Sequence, residues 1–316
     1  NASYNEAIKI LNEALKMTDK SFEFDICEIY RKLGNCYYAQ NKRDQAREAY
    51  EKTLDYCTTN SSIYAMLAYL YYYVDNDIAI KYYSKVLELK PTDEISLSGK
   101  ALTILKSHNY TQEQLKEAIE ADVKNFRAHY LTSDIEIFDH SSRNRKDKKR
   151  LHIGYLSSDF KCHAMMQFIL PLLESHHQDK FDFSLFSTTK KNDYVTERIK
   201  QTGMLWNDCS NMTNEQLAKF IYCNNVDILV DLGGFTHCRS FALMQKPAPI
   251  QMQYLGFVNT LGIPEIDYIF ADEFTIPKDF AKNYTEKPLY LGTCMQRFCF
   301  NNKNQVLPEL NELPYH

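Results

Sequence analysis

Residues 226–268 read VDILVDLGGFTHCRSFALMQKPAPIQMQYLGFVNTLGIPEIDY, and three short strands can be cut from them. The first, 226–232, is apolar except for Asp227 and Asp231 and runs into Gly233-Gly234. That is how a buried strand meets the loop at its carboxyl end. Lys246-Pro247-Ala248-Pro249 then delivers a second strand, 250–255, which stops at Gly256. A turn-rich loop, 259–264, precedes a third strand, 268–271. Open α/β sheets bind ligands at the edge where strands end in glycine and polar loops.

Upstream, the same pattern continues. Residues 151–156 form a strand ending in Ser157-Ser158-Asp159-Phe160, with Lys161-Cys162-His163 as a loop. An amphipathic helix is predicted over 164–176, a strand over 181–187, a helix over 194–202 and a short strand over 204–208. A further helix spans 214–223 with Thr213 as its N-cap. Strands alternating with helices predict a parallel sheet covered on both faces.

Residues 1–140 have no such strands but carry a repeat. Tyr30, Leu33 and Gly34 occupy one helix, and Ala46 and Tyr50 the next. Tyr64, Leu67 and Ala68, then Ala79 and Tyr83, are their equivalents. Tyr30 and Tyr64 lie one tetratricopeptide period apart, and the small residues fall where paired helices approach most closely. Tyr83 falls one residue short of that period from Tyr50, so a loop residue is missing near Asp75. The helix from Tyr4 matches the second half of an earlier copy, so the array is expected to have lost its front. A third copy from Ile95 is weaker. Its second helix is blurred over 112–122, and 126–138 reads as a separate closing helix. The fold class predicted is thus a helical tetratricopeptide solenoid followed by a Rossmann-like α/β domain. Its parts are the array (1–140), a basic linker (141–150), the Rossmann-like part (151–300) and a connecting segment (301–316).

The 316 residues are 44% hydrophobic and 25% charged, with a net charge of −4. That is ordinary for a globular protein and gives no basic footprint for nucleic acid. No run reaches the length of a membrane span. Nine cysteines without a CxxC pair argue against a disulfide framework or a zinc site, and for reduced thiols in a cytoplasmic or nuclear setting. His176-His177 reads as an exposed helix end, and most tyrosines of the array as packing residues.

The elements Asp227-Ile228-Leu229-Val230, Gly234-x-Thr236, Pro247-Ala248-Pro249-Ile250-Gln251, Leu255-Gly256, Thr260-x-Gly262 and Asp267-Tyr268 together carry a resemblance. They resemble the first catalytic half of the nucleocytoplasmic O-GlcNAc transferases and the related SPINDLY-type protein O-fucosyltransferases. The resemblance implies half of a glycosyltransferase-B fold, whose second half supplies most nucleotide-sugar contacts. It implies transfer of GlcNAc from UDP-GlcNAc to Ser/Thr of proteins held by the repeats, without a metal or other cofactor. A homo-oligomer formed through the repeats is left open. The Ser-Ser-Asp-Phe-x-x-His motif at 157–163 makes His163 the expected active-site residue. On the residues alone, a loop or helix-capping histidine is the plainer reading. Asp159, Gly234, Thr236, Gln251 and Thr260 are the expected substrate-binding positions, though Asp159 also suits a structural acceptor. Phe235 stands where the family carries His or Tyr, Lys246 where it carries Arg, and Val258 where it carries Pro. Two alternatives stay open: a GDP-fucose donor, suggested by 259–264, and an inactive scaffold, suggested by those departures.

Overall fold

The computed structural model describes residues 2–19, 21–132, 134–143, 150–292, 294 and 295. Most of the expected basic linker (144–149) and the connecting segment 301–316 lie outside them. Among the described residues no helix is long and apolar enough to cross a membrane.

The first part is a row of helices: α1 (Ala2–Met17), α2 (Glu23–Ala39), α3 (Arg43–Leu54), α4 (Ser61–Tyr71), α5 (Asn76–Leu89), α6 (Glu94–Ile104) and α7 (Gln112–Tyr130). The pairs α2/α3, α4/α5 and α6/α7 are the three hairpins, and α1 stands before them as the odd helix the sequence predicts. The repeat positions behave as their sizes require. Ala46, Ala68 and Ala79 are fully buried. A Cβ on Gly34 would lie 2.5 Å from the buried Tyr50 ring, and one on Gly99 2.6 Å from Tyr83. Only glycine lets these rings lie against the facing helix. Each later helix starts on a side-chain cap: Asn60 for α4, Asp75 for α5, Asp93 for α6 and a Thr111/Gln114 capping box for α7. Asp75, beside the missing loop residue, is thus a cap.

The third copy departs from expectation. Residues 112–130 form one unbroken helix, and among the described residues no separate helix follows it before 138. Leu115, Ile119, Val123, Phe126 and Tyr130 are all buried, and their spacing of three and four makes a single stripe. The chain leaves helix after Tyr130. Phe138 is buried in irregular backbone, where its N–H donates to the Gln245 carbonyl at 2.9 Å.

The second part is a seven-stranded parallel sheet. Its strands are β1 (Leu151–Ser157), β2 (Phe181–Ser187), β3 (Leu205–Asp208), β4 (Ile228–Asp231), β5 (Ile250–Gln253), β6 (Tyr268–Ala271) and β7 (Lys287–Tyr290). Helices α8 (Met166–Glu174), α9 (Tyr194–Lys200) and α10 (Asn214–Cys223) connect the first four. The order is β3-β2-β1-β4-β5-β6-β7. The chain builds outward from β1 to β3, returns to the middle at β4 and builds outward the other way. The switch point therefore lies between β1 and β4, which pair in register Ile153 to Ile228 through Leu156 to Asp231. β7 has no clear sequence signal, since Lys287-Pro288-Leu289-Tyr290 is too short and mixed to read as a strand. Edge strands tolerate proline and favour lysine.

The two parts share one core. Residues of α5, α6 and α7 pack in the same hydrophobic cluster as Leu156, Leu229, Phe241, Leu261 and Ile266 of the α/β part. Phe126 stacks on Phe241 at 4.7 Å, and the Arg127 guanidinium pairs with Glu265. Gly262, with φ +64°, lies so close to α7 that a Cβ would sit 3.1 Å from Ile119.

Candidate active site

The loops that leave β1 and β4 flank the switch point, where doubly wound sheets open a crevice. After β1, the Ser157 hydroxyl accepts the Asp159 N–H at 2.9 Å and turns the chain. Phe160 is buried and anchors the loop, and its carbonyl accepts the Thr196 hydroxyl at 2.8 Å. The Cys162 N–H donates to Asp193 at 2.8 Å. That bond is the chief reason the Asp193 carboxyl sits below its usual range. The β1 loop is thereby tied to the cap of α9.

His163 follows on this anchored turn. Its side chain is 43% exposed, with Nδ1 3.6 Å from Asp159 Oδ2. Nδ1 accepts the Met165 N–H at 3.3 Å. With Nδ1 so engaged, Nε2 is the nitrogen left for a ligand. An exposed imidazole beside a carboxylate can exchange a proton with an incoming hydroxyl or donate to a developing oxyanion. Asp159 is largely covered and is also 3.6 Å from Lys161 Nζ. It lies within reach of His163 as an orienting charge.

The β4 loop is built differently. Asp231 is fully buried and accepts from the N–H groups of Gly233 (3.1 Å) and Gly234 (3.2 Å) and the Ser240 hydroxyl (2.6 Å). His237 Nε2 lies 2.9 Å from the same carboxylate, with both side chains out of solvent. Burial pushes the Asp231 carboxyl up. The His237 ring, the Ser240 hydroxyl and the Gly233 N–H outweigh it and hold the group below its usual range. Gly233 is obligatory here, since a Cβ would strike the His237 ring. Gly234 takes φ +54° against Phe257. Thr236 is exposed, and its hydroxyl donates to the Gly233 carbonyl at 2.6 Å. Gly234 and Thr236 thus share the switch-point edge with Asp159 and His163.

Gln251 and Thr260 do not join them. Both are fully buried. The Gln251 amide donates to the Leu243 and Glu265 carbonyls at 2.9 and 2.8 Å. The Thr260 hydroxyl donates to buried Glu286 at 2.8 Å, and Thr285 beside it donates to Glu120 of α7 at 2.8 Å. Thr260 therefore sits in the joint between the two parts of the chain. The departures at 235 and 246 are structural as well. The Phe235 ring packs edge-on against Phe257 in the core, so its side chain is turned away from solvent. Lys246 Nζ donates to both Asp267 oxygens and to the Glu265 carbonyl at 2.7–2.8 Å. One ammonium thus fills three donor directions without a guanidinium fork. Val258 is exposed.

Sequence reasoning missed Asp231, His237 and Ser240 as a unit. The available signal was an aspartate inside an otherwise apolar strand, because a buried carboxylate requires donors nearby. Among the described residues no group of three His, Cys, Asp or Glu is placed to hold a metal ion.

Fold and site define a tetratricopeptide-type array fused to a Rossmann-like half with a histidine loop at its switch point. The model of glycosyl transferase family 41 matches residues 115–313, and the chain belongs to that family. A tetratricopeptide repeat model matches residues 27–60. One relative is the probable UDP-N-acetylglucosamine–peptide N-acetylglucosaminyltransferase SEC of Arabidopsis thaliana. It is 33% identical over 168 residues, covering 52% of this chain and 17% of the relative. The probable enzyme of the same description called SPINDLY, from the same plant, is 30% identical over 171 residues, covering 52% and 18%. A similar solved structure is the K341M mutant of Thermobaculum terrenum O-GlcNAc transferase. Its TM-score is 0.70 at 22% identity, covering 92% of this chain and 57% of that one. The chain thus matches about a fifth of the length of these curated relatives.

Proposed function

We propose that this chain is the repeat-bearing, acceptor-side half of a protein O-glycosyltransferase that moves GlcNAc from UDP-GlcNAc to Ser/Thr hydroxyls. Family membership supports the reaction class, and the printed descriptions of the relatives support the donor. The observation that carries the reading is the exposed His163 on a rigid loop beside the switch point. In this role the Nε2–H, with Nδ1 accepting the Met165 N–H, positions the acceptor hydroxyl; to take its proton, the ring would first shift its own proton to Nδ1, beside the Asp159 carboxylate. The β4 loop forms the facing wall, and the array holds the acceptor polypeptide. The residues that hold the diphosphate would come from a second half of the fold.

The experiment is transfer from UDP-GlcNAc to a Ser/Thr peptide by the full-length protein and its His163→Ala variant. The expected loss is about 10²–10⁴-fold, with unchanged melting. Undiminished transfer by the variant would remove His163 from the reaction. Transfer from GDP-fucose but not UDP-GlcNAc would overturn the donor. Transfer from neither would favour the scaffold reading.

A further inference from the structure

We propose that Cys27 and Cys57 are a thiol-oxidation site: a pair that closes into a reversible disulfide across the open end of the α2/α3 hairpin. The hairpin is turned at one end by Asn41, with φ +59°. At its other end the first turns of α2 face the residues just beyond α3. Tyr30, one turn after Cys27, stacks on Tyr56, next to Cys57, with ring centres 6.1 Å apart and planes within 17°. This pins the two cysteine backbones opposite one another. The Cys57 N–H is held by the Thr53 carbonyl at 3.0 Å. Gly34 of α2 lies against the Tyr50 ring of α3, and seven residues outward from that contact along each arm come Cys27 and Cys57.

The two thiols are unequal, which fixes the order of events. Cys27 is buried, whereas Cys57 is partly open to solvent. Burial, and then the Cys57 thiol, push the Cys27 thiol up to about 11. Cys57 is therefore the thiol that meets a peroxide first. Its thiolate attacks one peroxide oxygen and the O–O bond breaks. The leaving hydroxide takes up a proton as water, and Cys57 becomes a sulfenic acid. Cys27 then loses its proton and attacks that sulfur. The S–O bond breaks, a second water leaves and the S–S bond forms. Two thiols are oxidised and one peroxide is reduced to two waters. A small-molecule thiol reverses the process by exchange.

The test exposes the full chain to hydrogen peroxide and maps its peptides without reductant. The expected product joins the Cys27 and Cys57 peptides, disappears with dithiothreitol and is accompanied by a higher melting temperature. Cys57→Ser abolishes both the cross-link and the shift. Cys27→Ala leaves a Cys57 sulfenic acid that a cyclic dione traps, with circular dichroism confirming that the variant is folded. Recovery of Cys27 as a free thiol from the peroxide-treated wild type overturns the proposal. So does Cys57 joined to any other cysteine.

Discussion

Two histidines leave the ends of adjacent strands in this molecule and meet opposite fates. His163, after β1, is 43% exposed and stands 3.6 Å from its nearest carboxylate. His237, after β4, is 1% exposed and lies 2.9 Å from its own. The first is held by the backbone around it, and its ring stays open to solvent. The second is a strut: with Asp231 it fixes the turn through Gly233 and Gly234. In the proposed role the two divide the work, an open imidazole on one wall and a rigid frame behind the other.

The largest expected effect tests the strut. Asp231→Ala removes a carboxylate that satisfies four donors and leaves the His237 ring, the Ser240 hydroxyl and two backbone N–H groups without their acceptor. Each buried group so stranded costs about 1–3 kcal/mol, and urea denaturation of the chain would measure the sum. A cost below about 1 kcal/mol, the scale of an ordinary exposed ion pair, would break the comparison. His237→Ala should cost less, about 1–3 kcal/mol, because Asp231 keeps its other three donors.

A smaller effect concerns acid. The folded Asp231 carboxyl lies below its ordinary 3.8, so the native state binds this proton less readily than the unfolded chain. Its contribution to stability is complete above that ordinary value and is lost as pH falls toward the folded one. Melting temperature should therefore fall more steeply below about pH 4 in the wild type than in Asp231→Asn. Parallel acid limbs would show that the Asp231 bonds do not favour the ionised form. The smallest effect belongs to His163→Ala, within about 0.5 kcal/mol of wild-type stability. A larger drop would make His163 a second strut and end the distinction.

Much of this architecture could be read directly. Tyr30 and Tyr64 announced the repeat because large and small residues must recur wherever helices pair. The strands before Gly233 and Gly256 were visible as apolar runs ending in turns. The single helix 112–130 is hard to read from sequence because its stripe from Leu115 to Tyr130 crosses polar stretches that blur it. The site was less legible. Gln251 and Thr260 are polar residues in suggestive motifs, but their partners at Leu243, Glu265 and Glu286 lie where no local pattern points. His163 stood out because its motif and its position after a strand agreed. His237 did not, because its role depends on a carboxylate six residues earlier in an apolar strand.

Gly262 lies flat against α7, and this contact sets the mechanics of the whole chain. With no side chain between them, the last repeat and the sheet interlock like the stock and blade of a set square. The anchored block then begins at α5, the first helix to share the sheet's core. Under the proposed function, an acceptor polypeptide held by the array would be measured out from a fixed origin, its anchor at a set distance from His163.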